Sequence, residues 1–172
     1  MLHNKNNNKG FSMIELIVTI AVMGIVTASA IGINSWIASS VFKEACKNVT
    51  DSMAYARTEQ VSKAGSWTVK IYLDSDNRYI SEVKKSGIAD PAMEVKKKKS
   101  GVKLSAIKKD DGSFIELNSS DYIEMEYNSN GSFKKASIND GTDIDIKGIK
   151  VEYSRYSKTI KLALDTGKFF TD

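Results

Sequence analysis

The stretch KGFSMIELIVTIAVMGIVTASAIGI, residues 9–33, decides how this chain of 172 residues is organised. Between Met13 and Ile33, 17 of the 21 residues are apolar or glycine, and Glu15 is the only charged one. At about 1.5 Å per helical residue, the run spans roughly 30 Å, the hydrocarbon thickness of a bilayer. The pattern predicts a helix that can cross a membrane once.

Two features distinguish this run from a secretory signal peptide. Such a peptide has its small-residue cleavage site after the apolar region, whereas Lys9-Gly10 precedes an apolar segment that is too long for one. We therefore expect the helix to remain in the mature protein. Glu15 lies near the start of the run, and an unpaired carboxylate in hydrocarbon costs about 2.5–3.5 kcal/mol. Its presence indicates a partner.

The string KGFSMIELI, residues 9–17, resembles the class III signal of type IV pilins and pseudopilins. In that family a short basic leader is followed by Gly, Phe and then Glu as the fifth mature residue. The resemblance implies cleavage between Gly10 and Phe11 by a prepilin peptidase and N-methylation of Phe11. It also implies that Glu15 neutralises the Phe11 amine of a neighbouring subunit, since opposite charges enter a low-dielectric phase more cheaply together. The alternative is a plain signal anchor with a chance glutamate.

The distribution of charge predicts the orientation of the chain. The net charge of +4 includes Lys5 and Lys9, and their removal leaves 23 basic against 21 acidic residues, or +2. No Lys or Arg occurs from Phe11 to Ser40. Because positive charge favours the cytoplasmic side, we expect a single-pass plasma (inner) membrane protein with a cytoplasmic N terminus. The rest would be exported and end in an extracytoplasmic filament at the cell surface.

The helical pattern continues beyond the apolar run. We predict one helix from Ser12 to Lys63, stopped near Gly65. Gly32 lies where many pilins have a kinking proline, and whether the helix bends there stays open. The predicted segments are a leader at 1–10, a hydrophobic membrane or assembly half of the helix at 11–37, an amphipathic half at 38–64 and a β-rich head at 65–172. The amphipathic half carries an apolar stripe of Ile37, Val41, Phe42, Ala45, Cys46, Val49, Met53 and Ala56.

After the helix the apolar period changes from 3.6 to 2. Two alternating runs, 66–73 and 78–84, predict a hairpin around the polar turn 74–77. Residues 85–101 are predicted to form a long loop and 154–158 a turn. We therefore predict an α+β fold of the type IV pilin type, with the long N-terminal helix packed against one antiparallel sheet or two. The further predicted strands are 102–107, 114–118, 122–128, 133–138, 144–153 and 159–165.

Three segments beyond the hydrophobic half of the helix narrow the resemblance to one group of the family. Ala54–Gln60 (AYARTEQ), just before the first predicted strand, resembles the helix end of GspH/FimT-type minor pilins. The turn Asn128–Gly131 (NSNG) and the segment Asp165–Phe169 (DTGKF) resemble the glycine-containing turn and terminal Thr-Gly of the same group. Thr58 and Gln60 depart from it, since they replace Ser and Ala. The resemblance implies a minor pilin of this type.

Catalytic, cofactor-binding and metal-binding motifs are not found in the sequence. His3, the only histidine, lies in the leader, and Cys46 is a single cysteine that we predict to be a small core residue. No enzyme activity, cofactor or metal site is predicted. The acidic cluster of Asp74, Asp76 and Asn77 lacks the helix context, the glycine and the closing glutamate of a calcium loop and is predicted to be a hairpin turn. The same interpretation is given to Asp140, Asp143 and Asp145, which lie around Gly141.

Charge is segregated along the head. Residues 84–109 carry nine lysines against two acids, a local charge of +7, whereas residues 110–147 carry −6. A Lys-rich loop can bind phosphates without reading sequence, and some members of the resembled family capture DNA. The competing interpretation is a solvated loop or a patch that pairs with an acidic neighbour, because the cluster has no Arg and no interleaved aromatics. The candidate DNA-binding residues are Lys96, Lys97, Lys98, Lys99 and Lys103.

Two function hypotheses of different class follow. In the first, the chain is a structural subunit, a minor pilin or pseudopilin of a type IV pilus, type II secretion or competence machine. Its partners are the prepilin peptidase, the membrane before assembly and other pilin subunits in a helical filament. In the second, the subunit binds DNA for uptake through residues 84–109. A membrane-anchored enzyme is a distant third, and the sequence does not choose between the machines.

Overall fold

A computed structural model describes residues 11–63, 65–76, 78–88, 91–139 and 144–172, with backbone only for 29–33 and 93–100. Helix α1 extends from Met13 to Ser62, which confirms the predicted long helix to within one residue at each end. The chain divides into two compact units between Ile37 and Ala38.

In the second unit, helix α1 packs one face against the sheet. Val49, Met53 and Ala56 are completely buried in the core, as the predicted apolar stripe requires. Burial of such a stripe stabilises the fold by roughly 25 cal/mol per Å² of apolar surface removed from water. Cys46 is a core residue, which confirms its prediction, and burial raises the pKa of its thiol. The stripe therefore attaches residues 38–62 of the helix to the head.

Among the described residues the head has ten strands, and every pairing between them is antiparallel. This confirms the α+β prediction. The predicted first hairpin is formed by the first two strands, and most of the other predicted strands lie within one or two residues of their expected positions. The strands are β1 Trp67–Leu73, β2 Arg78–Lys85, β3 Met93–Ser100, β4 Val102–Lys108, β5 Phe114–Glu116, β6 Tyr122–Tyr127, β7 Phe133–Ile138, β8 Ile144–Tyr153, β9 Tyr156–Ala163 and β10 Lys168–Thr171.

Strand β8 joins the two halves of the sheet. One half has the order β7-β6-β1-β2-β3, and the other has the order β10-β9-β8-β4-β5. The first two residues of β8, Ile144 and Asp145, pair with β7, whereas the remainder pairs with β4 and β9. Of the two predicted alternatives, one sheet or two, the structure shows a single ten-stranded sheet with two parts among the described residues.

One prediction about irregular segments is wrong, a second is too long, and one strand was not predicted. The long loop predicted at 85–101 contains strand β3, Met93–Ser100, at the edge of the sheet. The turn predicted at 154–158 is confined to Ser154 and Arg155, and the terminal strand β10 was not expected. Edge strands bury little on their outer side, so they need no apolar alternation and are often rich in Lys. Periodicity consequently misses them.

A buried chain of hydroxyl groups fixes strand β2 on the helix. The Ser81 hydroxyl donates to the Ser52 hydroxyl at 2.6 Å, and the Ser52 hydroxyl donates to the Asn48 carbonyl at 2.9 Å. Both serines are fully buried. Because a buried polar group without a partner is costly, this chain favours one alignment of β2 along α1.

The end of α1 is tied to the first strand by Gln60. Its side-chain amide donates to the Gly65 carbonyl and accepts from the Trp67 N–H, both at 2.9 Å. Gly65 adopts a φ of 130°, which few other residues tolerate. Gln60, one of the two departures from the resembled group, therefore bridges the connection between helix and sheet.

Arg57 joins the helix to two distant turns. Its Nε donates to the Gly131 carbonyl at 3.0 Å, and its Nη2 donates to the Thr166 carbonyl at 3.2 Å. Gly167 packs its backbone directly against the Gly131 carbonyl, where a Cβ atom would overlap it. We call Arg57, Gly131, Thr166 and Gly167 the turn junction. All three segments that resemble GspH/FimT-type pilins contribute to it.

Candidate assembly site at the start of the helix

The side chains of Ser12 and Glu15 close the first turn of helix α1 on each other. Glu15 Oε2 accepts from the Ser12 N–H at 3.0 Å, and Ser12 Oγ accepts from the Ile14 N–H at 3.4 Å. The first bond along the helix runs from the Leu16 N–H to the Ser12 carbonyl at 3.2 Å. Ser12 is thus the N-cap and Glu15 the N3 residue, and the pair resembles a capping box in which the Ser12 hydroxyl accepts from the N2 instead of the N3 amide. We refer to this arrangement as the Ser12–Glu15 cap.

Apolar side chains surround the cap and continue along the helix. Phe11 is 83% exposed within the chain, and large apolar residues between Met13 and Val26 are more than half exposed. A continuous apolar surface of this extent on a single chain marks a contact surface for protein or lipid. Glu15, the only charged residue on this part of the helix, therefore lies within an apolar surface that another protein chain or lipid is expected to cover.

Residues 5–31 match the family described as the prokaryotic N-terminal methylation motif. The chain carries the class III prepilin signal of type IV pilins and pseudopilins. Proteins with this signal are structural subunits made as membrane-anchored precursors, processed by a prepilin peptidase and assembled with other pilin subunits into surface filaments. No curated protein and no solved structure matches the chain significantly.

The prepilin signal includes all three residues predicted for processing and assembly. Gly10 lies outside the described residues, whereas Phe11 is exposed and precedes the first turn. Glu15 lies in that turn, with its carboxylate on the Ser12 N–H. The individual roles of Gly10, Phe11 and Glu15 stay predictions. In the part of the chain that the structure describes, no helix is sufficiently long and apolar to span a membrane.

Sequence reasoning missed Ser12. The signature was present, because Ser followed three residues later by Glu before an apolar run is the pattern of a capping box. The resemblance to the prepilin signal implies an assembly role for Glu15 and none for Ser12. The structure shows that the carboxylate already has a partner in its own chain.

The structure divides the candidate DNA-binding lysines between two strands. Lys96–Lys99 lie on edge strand β3, which pairs with β2, whereas Lys103 lies on β4, which pairs with β5 and β8. Lys103 Nζ lies 3.0 Å from a Glu116 carboxylate oxygen, and this hydrogen bond raises the pKa of Lys103. The loop that was to present all five lysines does not form. Nothing in the comparisons supports DNA as a partner.

The acidic residues of the first hairpin turn hold the turn itself. Asp74 accepts hydrogen bonds from the N–H groups of Asp76 and Arg78, and its other oxygen lies 2.7 Å from the Arg78 guanidinium. These hydrogen bonds lower the pKa of Asp74 despite an opposing effect of desolvation. Asn77 and residues 140–143 of the second acidic cluster lie outside the described residues. Asp145 lies 3.8 Å from Lys109.

Proposed function

We propose that this chain is a minor pilin or pseudopilin subunit of the GspH/FimT type. It is cleaved after Gly10, methylated on the amine of Phe11, and inserted through its N-terminal helix into a type IV pilus or a secretion or competence pseudopilus. The observation that carries the proposal is the prepilin signal at residues 5–31, placed on a helix whose apolar surface is open.

The turn junction supports the finer assignment. Three segments resemble GspH/FimT-type pilins, and they are far apart in the sequence. In the fold they meet, because Arg57 of the first binds the carbonyl groups of Gly131 in the second and Thr166 in the third. Three independent local resemblances that converge on one contact favour a common origin for the head.

Processing is tested by mass spectrometry of the protein recovered from its own cells. The expected mass is that of residues 11–172 plus one methyl group on Phe11. The matched variant Gly10→Val should keep its leader, because the peptidase would meet a branched side chain at the scissile bond. A wild-type chain that still begins at Met1 would contradict the proposal.

Assembly is tested by replacing Glu15. We expect Glu15→Ala to be processed but to be lost from the sheared filament or pseudopilus fraction, since the neighbouring amine then enters an apolar surrounding without its counter-charge. An unpaired charge there costs about 2.5–3.5 kcal/mol, or roughly a hundredfold in incorporation. Asp110→Ala, which removes an exposed carboxylate from the head, is the control and should assemble normally. Equal incorporation of both variants would refute the assembly role.

A further inference from the structure

The first turn of helix α1 has four backbone N–H groups without a partner further back in the helix. They belong to residues 12–15, because the Leu16 N–H is the first to bond along the helix. Two of the four are satisfied by the Ser12–Glu15 cap, those of Ser12 and Ile14. The cap therefore halves the number of unsatisfied donors at the start of the helix.

The free energy that the cap contributes is larger at a helix start in an apolar surrounding than at one in water. In water an N-cap contributes about 1 kcal/mol, but in an apolar surrounding each unsatisfied N–H costs several kcal/mol. The neighbours of the cap are Phe11, Met13, Ile14 and Leu16, all exposed apolar side chains that assembly would cover. Removal of residues 1–10 would also make the Ser12 N–H the first peptide N–H of the chain.

We propose that Ser12 is a positioning residue for Glu15. Its backbone N–H holds Glu15 Oε2 at the start of the helix, and its hydroxyl, on the Ile14 N–H, fixes the turn that presents this N–H. Oε2 has the Ser12 N–H as its partner, and Oε1 has no hydrogen bond among the described residues. Oε2 thus accepts a hydrogen bond within its own chain, while Oε1 can accept one from a second group. The inference rests on the proposed function, in which that second group is the amine of a neighbouring subunit.

The cap gives Glu15 two separable tasks. Acceptance of the Ser12 N–H needs only an oxygen, which the amide of Glu15→Gln would retain. Neutralisation of an amine needs the negative charge, which that variant lacks. Glu15→Gln should therefore keep the capped first turn and lose incorporation, whereas Glu15→Ala should lose both.

The test measures amide hydrogen exchange at residues 12 and 14 of the full chain in detergent micelles. We expect exchange of the Ser12 amide to quicken about fivefold in Glu15→Ala and to stay unchanged in Glu15→Gln, the factor that corresponds to a capping loss of about 1 kcal/mol. Exchange of the Ile14 amide should quicken similarly in Ser12→Ala and recover in Ser12→Thr. Both the full chain and a chain that begins at Phe11 contain Ser12 and Glu15, so a variant that escapes cleavage is still informative.

Incorporation into the filament fraction supplies the functional arm. Incorporation of Ser12→Ala should be about fivefold lower than that of the wild type, and Ser12→Thr should restore it. In a chain that already carries Glu15→Gln, Ser12→Ala should cause no further fall. The control is Thr19→Ala, since the Thr19 hydroxyl donates to the Leu16 carbonyl one turn later and has no part in the cap.

Different results would overturn the positioning role of Ser12 and the proposed function. Unchanged exchange at Ser12 in Glu15→Ala, or at Ile14 in Ser12→Ala, would overturn the positioning role while a defect of Glu15→Ala in incorporation still upheld the proposed function. Normal incorporation of Glu15→Ala would remove the proposed function, even if the exchange rates showed the cap. A defect of Thr19→Ala equal to that of Ser12→Ala would mean that any lost hydroxyl weakens the helix, and would overturn the positioning role.

Discussion

At the residue scale, Gly167 is the position where substitution should be most damaging. Its φ is 64°, and an added Cβ would overlap the Gly131 carbonyl. For Gly167→Ala we expect a loss of at least about 3 kcal/mol in the free energy of unfolding, from the left-handed backbone together with the steric overlap. Chemical denaturation of the full chain in detergent, followed by tryptophan fluorescence, measures it.

Gly87 offers a matched control for this prediction. It has a φ of 81°, similar to that of Gly167, but nothing lies within 4 Å of the position of its Cβ. Gly87→Ala should therefore lose only the backbone contribution, about 1 kcal/mol. If the two variants are equally stable, the close approach of the two turns does not hold the head together.

The residues of the prepilin signal could be predicted from the sequence, whereas the role of Gly167 could not. Gly10, Phe11 and Glu15 are adjacent in the chain, and their chemistry depends on that local order. Gly167 is required because Gly131, thirty-six positions earlier, approaches it in the fold. A contact between two glycines leaves no hydrophobic period or charge pattern in either segment.

At the scale of the element, strand β3 shows how an exposed edge is protected. Its ladder with β2 is regular from Met93 to Lys96 and resumes only at Ser100, opposite Arg78. Lys97–Lys99 consequently form a bulge opposite a single residue of β2. A bulge and a run of lysines are two devices that keep an edge strand from pairing with another chain.

Removing these charges should promote association of the head. We expect Lys97→Val/Lys99→Val in the compact unit 38–172 to raise light scattering at high protein concentration, because the edge then combines β-branched side chains with less charge. Lys97→Arg/Lys99→Arg keeps the charge and should behave as the wild type. If the valine variant stays monomeric, the lysines have another task, and binding of a phosphate backbone becomes the next one to measure.

The helix and the central strands could be predicted because each buries one face. A buried face imposes a period on the sequence, as it does on the stripe of α1 and on β1, whose residues alternate between buried and half-buried. Strands β3 and β10 each pair with a single described strand, β2 and β9, and so lie at edges of the sheet. The neighbouring strand determines where they pair, so their own residues show a weaker apolar period.

At the scale of the whole head, Arg57 links elements that the sheet alone leaves separate. The Gly131 turn connects β6 to β7 in one half of the sheet, and the Thr166 turn connects β9 to β10 in the other. In the part of the chain that the structure describes, the two halves meet along the ladder through two residues of β7, Ser137 and Ile138. The guanidinium holds both turns against the helix, and its planar fork suits two carbonyl groups at once.

Replacing Arg57 should therefore loosen the head as a whole. We expect Arg57→Ala to lower the free energy of unfolding by about 2 kcal/mol, since two hydrogen bonds from a charged donor are lost. Arg57→Lys should lose about half as much, because an ammonium group lacks the fork. Lys43→Ala, at an exposed cation on the same helix, should change it by less than about 0.5 kcal/mol. Hydrogen exchange should quicken in both turns of the Arg57→Ala head, and an effect confined to one turn would show that the arginine does not couple the two halves.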